Sequence, residues 1–522
     1  MSKAVLIAGT QSGVGKTTVT MGLLAALSKR LLVQAYKVGP DYIDPAYHTF
    51  ITGRKSRNLD NYLLSNETVK MLFEKHLKDA DLGVIEGAMG LFDGSVENPE
   101  IGSAASISKV LKYPVLLVVD GSGMAMSAAA LVKGYAEFDP LVPLKGVIFN
   151  RVNTKSHYEL LKNAVEAHTG VKCYGYLPKN LPSLPSRHLG LVPSCEIEDL
   201  KEKIEAMCAA FEMTVDVEGI IQLADQAGYG KMESAAQATL QVQGENQVQS
   251  ENQVQSENQV QSENQVQVKS QVQATTQVQA TTQVQATSQI QTVPQDQEPP
   301  KTFSGLRIGV AYDEAFNFYY EDNLDFFREQ GAQILYFSPL RDQHLPENLH
   351  FLYFGGGYPE QFAQLLSENC AIKKELLSNL ESGIPYLAEC GGLMYMCQKL
   401  VDFDERGYDM LGWLPGETHM TKRLIRFGYK TLRLKQSCVL GPEGTEIKIH
   451  EFHHSELVGM TEVPIYELRK ARPGQPLKLE SCGYIKGNGV AGYPHLHLYG
   501  NLNIAMNLLK AAAHYKDQKT CK

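Results

Sequence analysis

Residues 9–17 read GTQSGVGKT. Gly13 and Gly15 allow the backbone to wrap closely around a phosphate, Lys16 supplies a point charge, and the Thr17 hydroxyl suits Mg²⁺. The first glycine stands one residue earlier than a standard phosphate loop sets it, with Thr10 in its place. Two further stretches carry carboxylates: KVGPDYIDPAYH, residues 37–48, with Asp41 and Asp44, and EGAMGLFDG, residues 86–94, with Glu86 and Asp93. Acidic residues in such loops often only cap helices or turns. Beside a phosphate cradle, however, four carboxylates repel one another unless cations lie between them, and Mg²⁺ prefers oxygen ligands plus substrate phosphates. Metal and phosphate chemistry is the favoured reading.

A second group of reactive types surrounds PYLAECGGLMYM, residues 385–396. The apolar run ending at Cys390 reads as a buried strand, and GGLMYM as the start of a helix. Gly391 and Gly392 permit a sharp elbow there, and a helix N-terminus lowers a thiol's pKa. A thiolate nucleophile needs a base and an oxyanion hole. The sequence FGGGYPE follows another apolar run and offers the backbone N–H groups of Gly355, Gly356 and Gly357. Two clusters supply a base: His453 and His454 in EFHHSE, and His495 and His497 in GYPHLHLYG. Residue types alone do not choose between them.

These residues must be held by a regular scaffold. KAVLIAG, LLVQAYKVG, LGVIEGAMG, YPVLLVVDG and LKGVIFNRV alternate with helical patterns, the rhythm of a parallel α/β sheet. Residues 196–230 read as helices closing that domain. LRIGVAY, AQILYFS, LHFLYFGGG and IPYLAEC repeat the rhythm, predicting a second α/β domain. From Gln241 to Gln291 the chain instead repeats every six residues, mostly as QVQSEN or QVQATT. One valine per unit cannot bury enough surface to offset ordering entropy, and a disordered linker is expected. A six-residue period also occurs in β-helices, which need a continuous apolar face. The expected division is therefore 1–236, a linker over 237–304, and 305–522.

The whole chain has 522 residues, 43% hydrophobic and 20% charged, with a net charge of -9 and no basic patch, which argues against nucleic-acid binding. No apolar run is long enough to span a bilayer, and the first residues read as a strand rather than a signal peptide. The nine cysteines are scattered and form no CxxC pair, so a reducing cytoplasm is expected.

In GTQSGVGKTT, KVGPDYIDPAYH, SRNLD, IEGAMGLFDG, LPSRHLGL, YDEAFNFYYEDNLD, FGGGYPE, PYLAECGGLMYM, EFHHSE and HLHLYGN, the chain resembles the cobyrinate a,c-diamide synthases. These are glutamine-dependent amidotransferases of corrinoid biosynthesis, and only the repeat segment lacks a counterpart. The resemblance implies a first domain like the dethiobiotin-synthetase branch of phosphate-loop proteins, sharing its early glycine. Gly13, Gly15, Lys16, Thr17 and Thr18 would bind ATP. Thr17, Asp41 and Glu86 would hold Mg²⁺, while Asp44 and Asp93 position phosphate or substrate. It implies a second domain similar to class I glutamine amidotransferases, in which Cys390 attacks the glutamine amide and His495 is its base. His497 stands where that superfamily has an orienting glutamate, and His453 would serve structure or glutamine binding.

The implied reaction activates a- and c-acetate carboxylates of a tetrapyrrole as acyl phosphates and aminates them with ammonia. The domains should then dock around an internal path. The substrates are ATP, L-glutamine and a tetrapyrrole carboxylate: cobyrinate, or Ni-sirohydrochlorin on the route to coenzyme F430 in methanogens. Hydrogenobyrinate and a cobyric acid synthase-like reaction are the alternatives. A homodimer is compatible with the sequence, which does not fix the oligomeric state. Two readings of other classes are a scaffold ATPase with a decorative second domain and a ligase using free ammonia beside a dead glutaminase. Each leaves one full set of residues unexplained.

Overall fold

The computed structural model describes residues 3–182, 199–225, 302–471 and 473–520, with the backbone of a short strand pair at 186–187 and 190–191. The repeat segment and half of LPSRHLGL, residues 184, 185, 188 and 189, lie outside the described residues.

The apolar runs of the first half become strands buried on both faces. They are β1 (Ala4–Gly9), β2 (Val33–Val38), β3 (Arg57–Leu59), β4 (Leu82–Glu86), β5 (Val115–Asp120), β6 (Leu144–Asn150) and β7 (Lys172–Tyr176). They form one parallel sheet in the order β3-β2-β4-β1-β5-β6-β7. Helices α1 (Lys16–Ser28), α2 (Ile43–Thr52), α3 (Asn66–Leu77), α4 (Ala104–Leu111), α5 (Ser127–Phe138) and α6 (Lys155–Thr169) make the crossovers. Both faces are covered, as an all-parallel sheet requires. Local chemistry sets the helix starts: Ser65 accepts from the Thr68 N–H, and Ser103 and Ser106 form a capping box. Beyond the strand pair β8 (Ser186–Arg187) and β9 (Gly190–Leu191), helices α7 (Leu200–Thr214) and α8 (Val217–Ala224) pack Phe211, Ile220 and Leu223 under β1 and α1.

In the second half β10 (Arg307–Ala311), β11 (Gln333–Phe337), β12 (Phe351–Phe354) and β13 (Tyr386–Glu389) are parallel neighbours in the order β11-β10-β12-β13. Helices α9 (Glu321–Glu329), α10 (Ala363–Glu368), α11 (Cys370–Glu381), α12 (Gly391–Met396) and, at the end, α13 (Leu502–Thr520) accompany them. Between α12 and α13 the α/β rhythm breaks. Here β14 (Lys399–Val401), β15 (Gly407–Asp409), β16 (Glu417–Met420), β17 (Arg426–Leu434), β18 (Glu446–His453), β19 (Ser455–Val458), β20 (Tyr466–Lys470) and β21 (Lys478–Cys482) form two further sheets. The longer one is antiparallel. Its strand EIKIHEFH begins with alternating exposed and buried residues, the signature of a half-buried antiparallel strand. The chain then returns through β22 (Tyr484–Lys486) and β23 (Gly489–Gly492) to the edge of the parallel sheet, and β24 (His495–Leu496) joins β18.

Residues 1–227 and 301–522 make one compact unit. Its two lobes are joined by buried polar contacts. Arg57 bonds Asp322 at 3.2 Å and Asp325 at 2.6 Å, and His76 Nε2 meets Asp322 at 2.6 Å. Tyr429 donates to Asp60 at 2.8 Å while its ring stacks on Tyr62 at 4.3 Å.

Candidate active site

The loop after β1 wraps tightly because of two left-handed glycines, Gly13 (φ 76°) and Gly15 (φ 101°). A Cβ on Gly15 would lie 2.0 Å from Asn150 Nδ2, whose amide donates to the Val14 carbonyl at 2.9 Å. Thr17 and Thr18 follow in the first turn of α1. Lys16 is buried and folds back on the Gln11 carbonyl at 3.2 Å. Burial, and then the charge of Lys37, lower its pKa to about 8.

The carboxylate loops follow β2 and β4, on the same sheet edge. They do not form an open acidic cluster. Lys37, within β2, lies between Asp44 Oδ2 (2.5 Å) and Glu86 Oε1 (2.9 Å). Thr17 Oγ1 donates to Glu86 at 2.7 Å and lies 3.4 Å from Asp44. His48 Nε2 holds the other Glu86 oxygen at 2.8 Å. Burial opposes the Glu86 charge, but Lys37 and His48 outweigh it and hold the carboxyl below its usual range.

Asp41 and Asp93 have local duties that the sequence did not separate from metal binding. Asp41 Oδ1 accepts the N–H groups of Ile43 (2.8 Å) and Asp44 (3.1 Å), at the start of α2. Asp93 accepts the Gly90 N–H at 2.9 Å. Asp44, expected to position substrate, is the aspartate beside Thr17. The chemistry of the donor set Thr17, Asp44 and Glu86, all oxygen, fits Mg²⁺ together with nucleotide phosphates.

Cys390 sits at the elbow between β13 and α12 with φ 48° and ψ -104°, a backbone conformation that a side-chain-bearing residue seldom adopts. The two glycines let α12 pack against β12: a Cβ on Gly391 would lie 3.1 Å from the Gly357 nitrogen, and one on Gly392 would lie 2.6 Å from the Phe354 carbonyl oxygen. The expected drop in the thiol pKa is not found. Burial pushes Cys390 up to about 12, with Glu360 adding to it. A six-residue helix offers a modest dipole, and a site this enclosed disfavours the thiolate by more.

The glycine run is also sorted by the structure. Gly355 donates its N–H to Tyr319 Oη at 2.8 Å, so it is spent on the scaffold and leaves the oxyanion set. The Gly356 carbonyl accepts from Asn317 and Phe318. Gly357 lies beside Gly391 and lines the same cavity as Cys390. A Cβ there would lie 2.1 Å from the Ala315 carbonyl oxygen, so glycine is required.

Of the two histidine clusters, His495 lines that cavity. Burial lowers its pKa to about 4, leaving it a neutral base. His497 does not orient it. Both His497 ring nitrogens lack hydrogen-bond partners, and the ring packs 4.6 Å from Tyr320. His453 stacks on Tyr493 at 3.7 Å and bonds the Ser455 carbonyl at 2.9 Å, while its Nε2 is buried without a hydrogen-bond partner. His454 Nδ1 lies 3.3 Å from the Thr421 carbonyl.

Both residue groups open onto one cavity of about 690 Å³. Lys16, Thr17 and Asp44 line one part of it and Gly357, Cys390 and His495 another. Tyr42 stands between them, stacked on Phe318 at 5.2 Å and tilted against His495 at 5.2 Å. Phe427, Tyr429 and Phe452 line a further wall.

Lys37, His48 and Tyr42 are residues of this cluster whose contacts sequence reasoning missed. Lys37 carried a usable signal, because a charge inside an otherwise apolar strand requires a buried partner.

Comparison with known proteins agrees with this layout. Residues 5–192 match the domain described as a CobQ/CobB/MinD/ParA nucleotide binding domain, and residues 307–502 match a CobB/CobQ-like glutamine amidotransferase domain. The cobyrinate a,c-diamide synthase of Listeria innocua serovar 6a is 40% identical over 510 residues, 97% of this chain and 99% of that protein. The protein of the same name from Caldanaerobacter subterraneus subsp. tengcongensis is 39% identical over 96% of each chain, and that of Salmonella typhimurium is 37% identical over 98% of each. With the phosphate loop and the elbow cysteine opening onto one cavity, the chain belongs to the cobyrinate a,c-diamide synthase family.

Proposed function

We propose that this protein amidates the a- and c-acetate carboxylates of a tetrapyrrole, consuming ATP and taking nitrogen from glutamine. The observation that carries the reading is the single cavity that joins the phosphate loop to Cys390. The relatives' name favours cobyrinate as substrate; Ni-sirohydrochlorin carries the same two acetates and is tested beside it. The working halves are residues 1–236 and 305–522, with 237–304 as their connection.

The chemistry follows from the residues. A carboxylate is a poor acyl donor because hydroxide leaves badly. Its oxygen attacks the γ-phosphorus of ATP, ADP leaves, and an acyl phosphate results. Lys16 and Lys37 face the charge that develops on the transferred group. Thr17, Asp44 and Glu86 would hold Mg²⁺, which when bound neutralises phosphate charge. In the other part of the cavity Cys390 Sγ attacks the amide carbon of glutamine. Its proton passes to His495 and then to the departing nitrogen, releasing ammonia and leaving a thioester that water cleaves to glutamate. The N–H of Gly357, which lines the cavity with Cys390, would receive the oxyanion. Ammonia crosses the cavity and attacks the acyl phosphate, expelling phosphate and forming the amide. The aromatic wall of Phe427, Tyr429 and Phe452 suits the flat face of a macrocycle.

The test is incubation with ATP, Mg²⁺ and amide-labelled glutamine, with cobyrinate and Ni-sirohydrochlorin in separate tubes, read by mass spectrometry. Two labelled amides on a substrate are expected. ATP hydrolysis with no labelled product on either would overturn the proposal.

A further inference from the structure

His495 is a base that needs a partner on its far nitrogen. A neutral imidazole accepts the thiol proton at Nε2 only if its own proton sits on Nδ1, and a hydrogen-bond acceptor facing Nδ1 is what fixes that tautomer. His495 Nδ1 is buried and has no hydrogen-bond partner. The residue two positions on, His497, faces Tyr320 instead. The acidic oxygen facing Nδ1 is Glu389 Oε2, at 4.0 Å.

We propose that Glu389, the residue immediately before the nucleophile, is the carboxylate that positions His495. The inference rests on the glutaminase reading above. Glu389 is 2% exposed, at the end of β13. Its Oε1 accepts the Leu496 N–H at 3.1 Å, which ties it to the strand that carries His495. Its Oε2 meets Tyr353 Oη at 3.0 Å and keeps acceptor capacity towards the imidazole. A carboxyl in a buried strand, YLAE, costs free energy to bury, and the bonds from Leu496 and Tyr353 offset only part of that.

The 4.0 Å gap is an ion-pair distance, and catalytic hydrogen bonds commonly tighten when substrate binds. Burial raises the Glu389 carboxyl to about 8, against the opposing bonds from Leu496 and Tyr353. The imidazolium formed when His495 takes the Cys390 proton is the positive charge that draws it back down. One strand end thus supplies both nucleophile and orienting carboxylate.

The experiment compares Glu389→Gln and Glu389→Asp with the unmutated protein, using glutamine and then free ammonia as nitrogen donor. The side-chain amide of Glu389→Gln would keep an acceptor for Leu496 and a partner for Tyr353, but would turn an N–H towards His495 and favour the wrong tautomer. Glutamine-driven kcat in Glu389→Gln should fall roughly 100-fold or more, since general-base catalysis contributes ~10²–10⁴. KM for glutamine and ammonia-driven amidation should stay near the unmutated values, and Glu389→Asp should recover part of the loss. A kcat within a few-fold of the unmutated protein, or a loss confined to KM, overturns the proposal.

If the unmutated protein uses ammonia but not glutamine, the glutaminase reading is what has failed. In that case, or if Glu389→Gln fails to fold and loses both activities, ¹⁵N NMR of His495 in the unmutated protein at mildly alkaline pH decides. A proton on Nδ1 supports the proposal, and a proton on Nε2 overturns it.

Discussion

Replacing Lys37 with methionine tests the buried charge cluster beside the phosphate loop. The substitution keeps length and removes the one ammonium lying between Asp44 and Glu86. Glu86 is fully buried and Asp44 nearly so. Breaking a buried pair by removing one partner costs about 3–5 kcal/mol, because the remaining charge is left uncompensated. Spread over a lobe of ordinary size, that is a fall in Tm of roughly 6–20 °C.

The sign of the pH dependence follows. In the unmutated protein the Glu86 carboxyl is held low, so its contribution is present above its unfolded value and is lost as pH falls through its folded value. Burial and then Asp41 already raise Asp44 in the unmutated protein, so in Lys37→Met it is Glu86 that loses its main counter-charge and whose folded pKa rises above the unfolded one. That stabilisation is complete below the unfolded pKa and is lost as pH rises through the raised value. The Tm deficit should therefore grow between about pH 5 and about pH 8. Added Mg²⁺ should raise the variant's Tm more than the unmutated protein's, because it replaces the missing cation. Thermal unfolding followed by circular dichroism across pH, with and without Mg²⁺, measures all of this. An unchanged Tm near pH 8, or a deficit that shrinks as pH rises, would refute the reasoning.

The nucleophile's surroundings give three further expectations. With burial holding Cys390 at about 12, its alkylation by iodoacetamide without glutamine should rise ~tenfold per pH unit through the neutral and mildly alkaline range, as thiolate accumulates; a plateau near neutrality would contradict this. Gly392→Ala drives a Cβ to 2.6 Å from the Phe354 carbonyl oxygen, and the overpacking should cost about 1–3 kcal/mol. Glutamine-driven activity should fall while ammonia-driven activity persists, and equal losses with both donors would count against it. Tyr42→Ala removes the ring standing between Phe318, Tyr320 and His495. Glutamate released per amide formed should rise above the unmutated ratio, and a ratio that does not change would deny Tyr42 any part in coupling the two reactions.

The parts of this site that are legible in the sequence are those fixed by local geometry. GTQSGVGKT can be read because glycines at Gly13 and Gly15 have a backbone reason to be there, and φ is positive at both. The elbow at Cys390 is legible for the same reason. The apolar runs mark the parallel strands because doubly buried strands have no polar face to confuse the pattern. What is not legible depends on partners far away in the chain. Asp41 and Asp44 look alike in KVGPDYIDPAYH, and only folding shows that Asp41 accepts two N–H groups at the start of α2 and lies 3.8 Å from Lys37, while Asp44 meets Lys37 at 2.5 Å and lies beside Thr17. His497 looks like a substitute for an orienting carboxylate, but Tyr320 from α9's leading edge takes its ring. The antiparallel strands over 426–482 escape a reading keyed to the α/β rhythm that flanks them.

The same burial that hides these partners suits the proposed chemistry. Ammonia is a nucleophile only while unprotonated, so a path between two sites must not hand it a proton. The histidines lining the cavity are His450 and His495. Burial lowers His450 to about 3 and His495 to about 4, so both are neutral imidazoles at working pH. Cys390, held near 12, is likewise neutral until a substrate amide reaches it and His495 takes its proton. Lys16 and Lys37 stand against the carboxylates in the other part of the cavity, where the phosphates would lie, and Glu97 and Lys470 also line its wall. In the proposed reaction the neutral groups around Cys390 would leave ammonia unprotonated as it departs towards the site where the acyl phosphate would form. An open, hydrated junction between the lobes would expose it to protonation, and the contacts of Arg57 with Asp322 and of Tyr429 with Asp60 join the lobes at that junction.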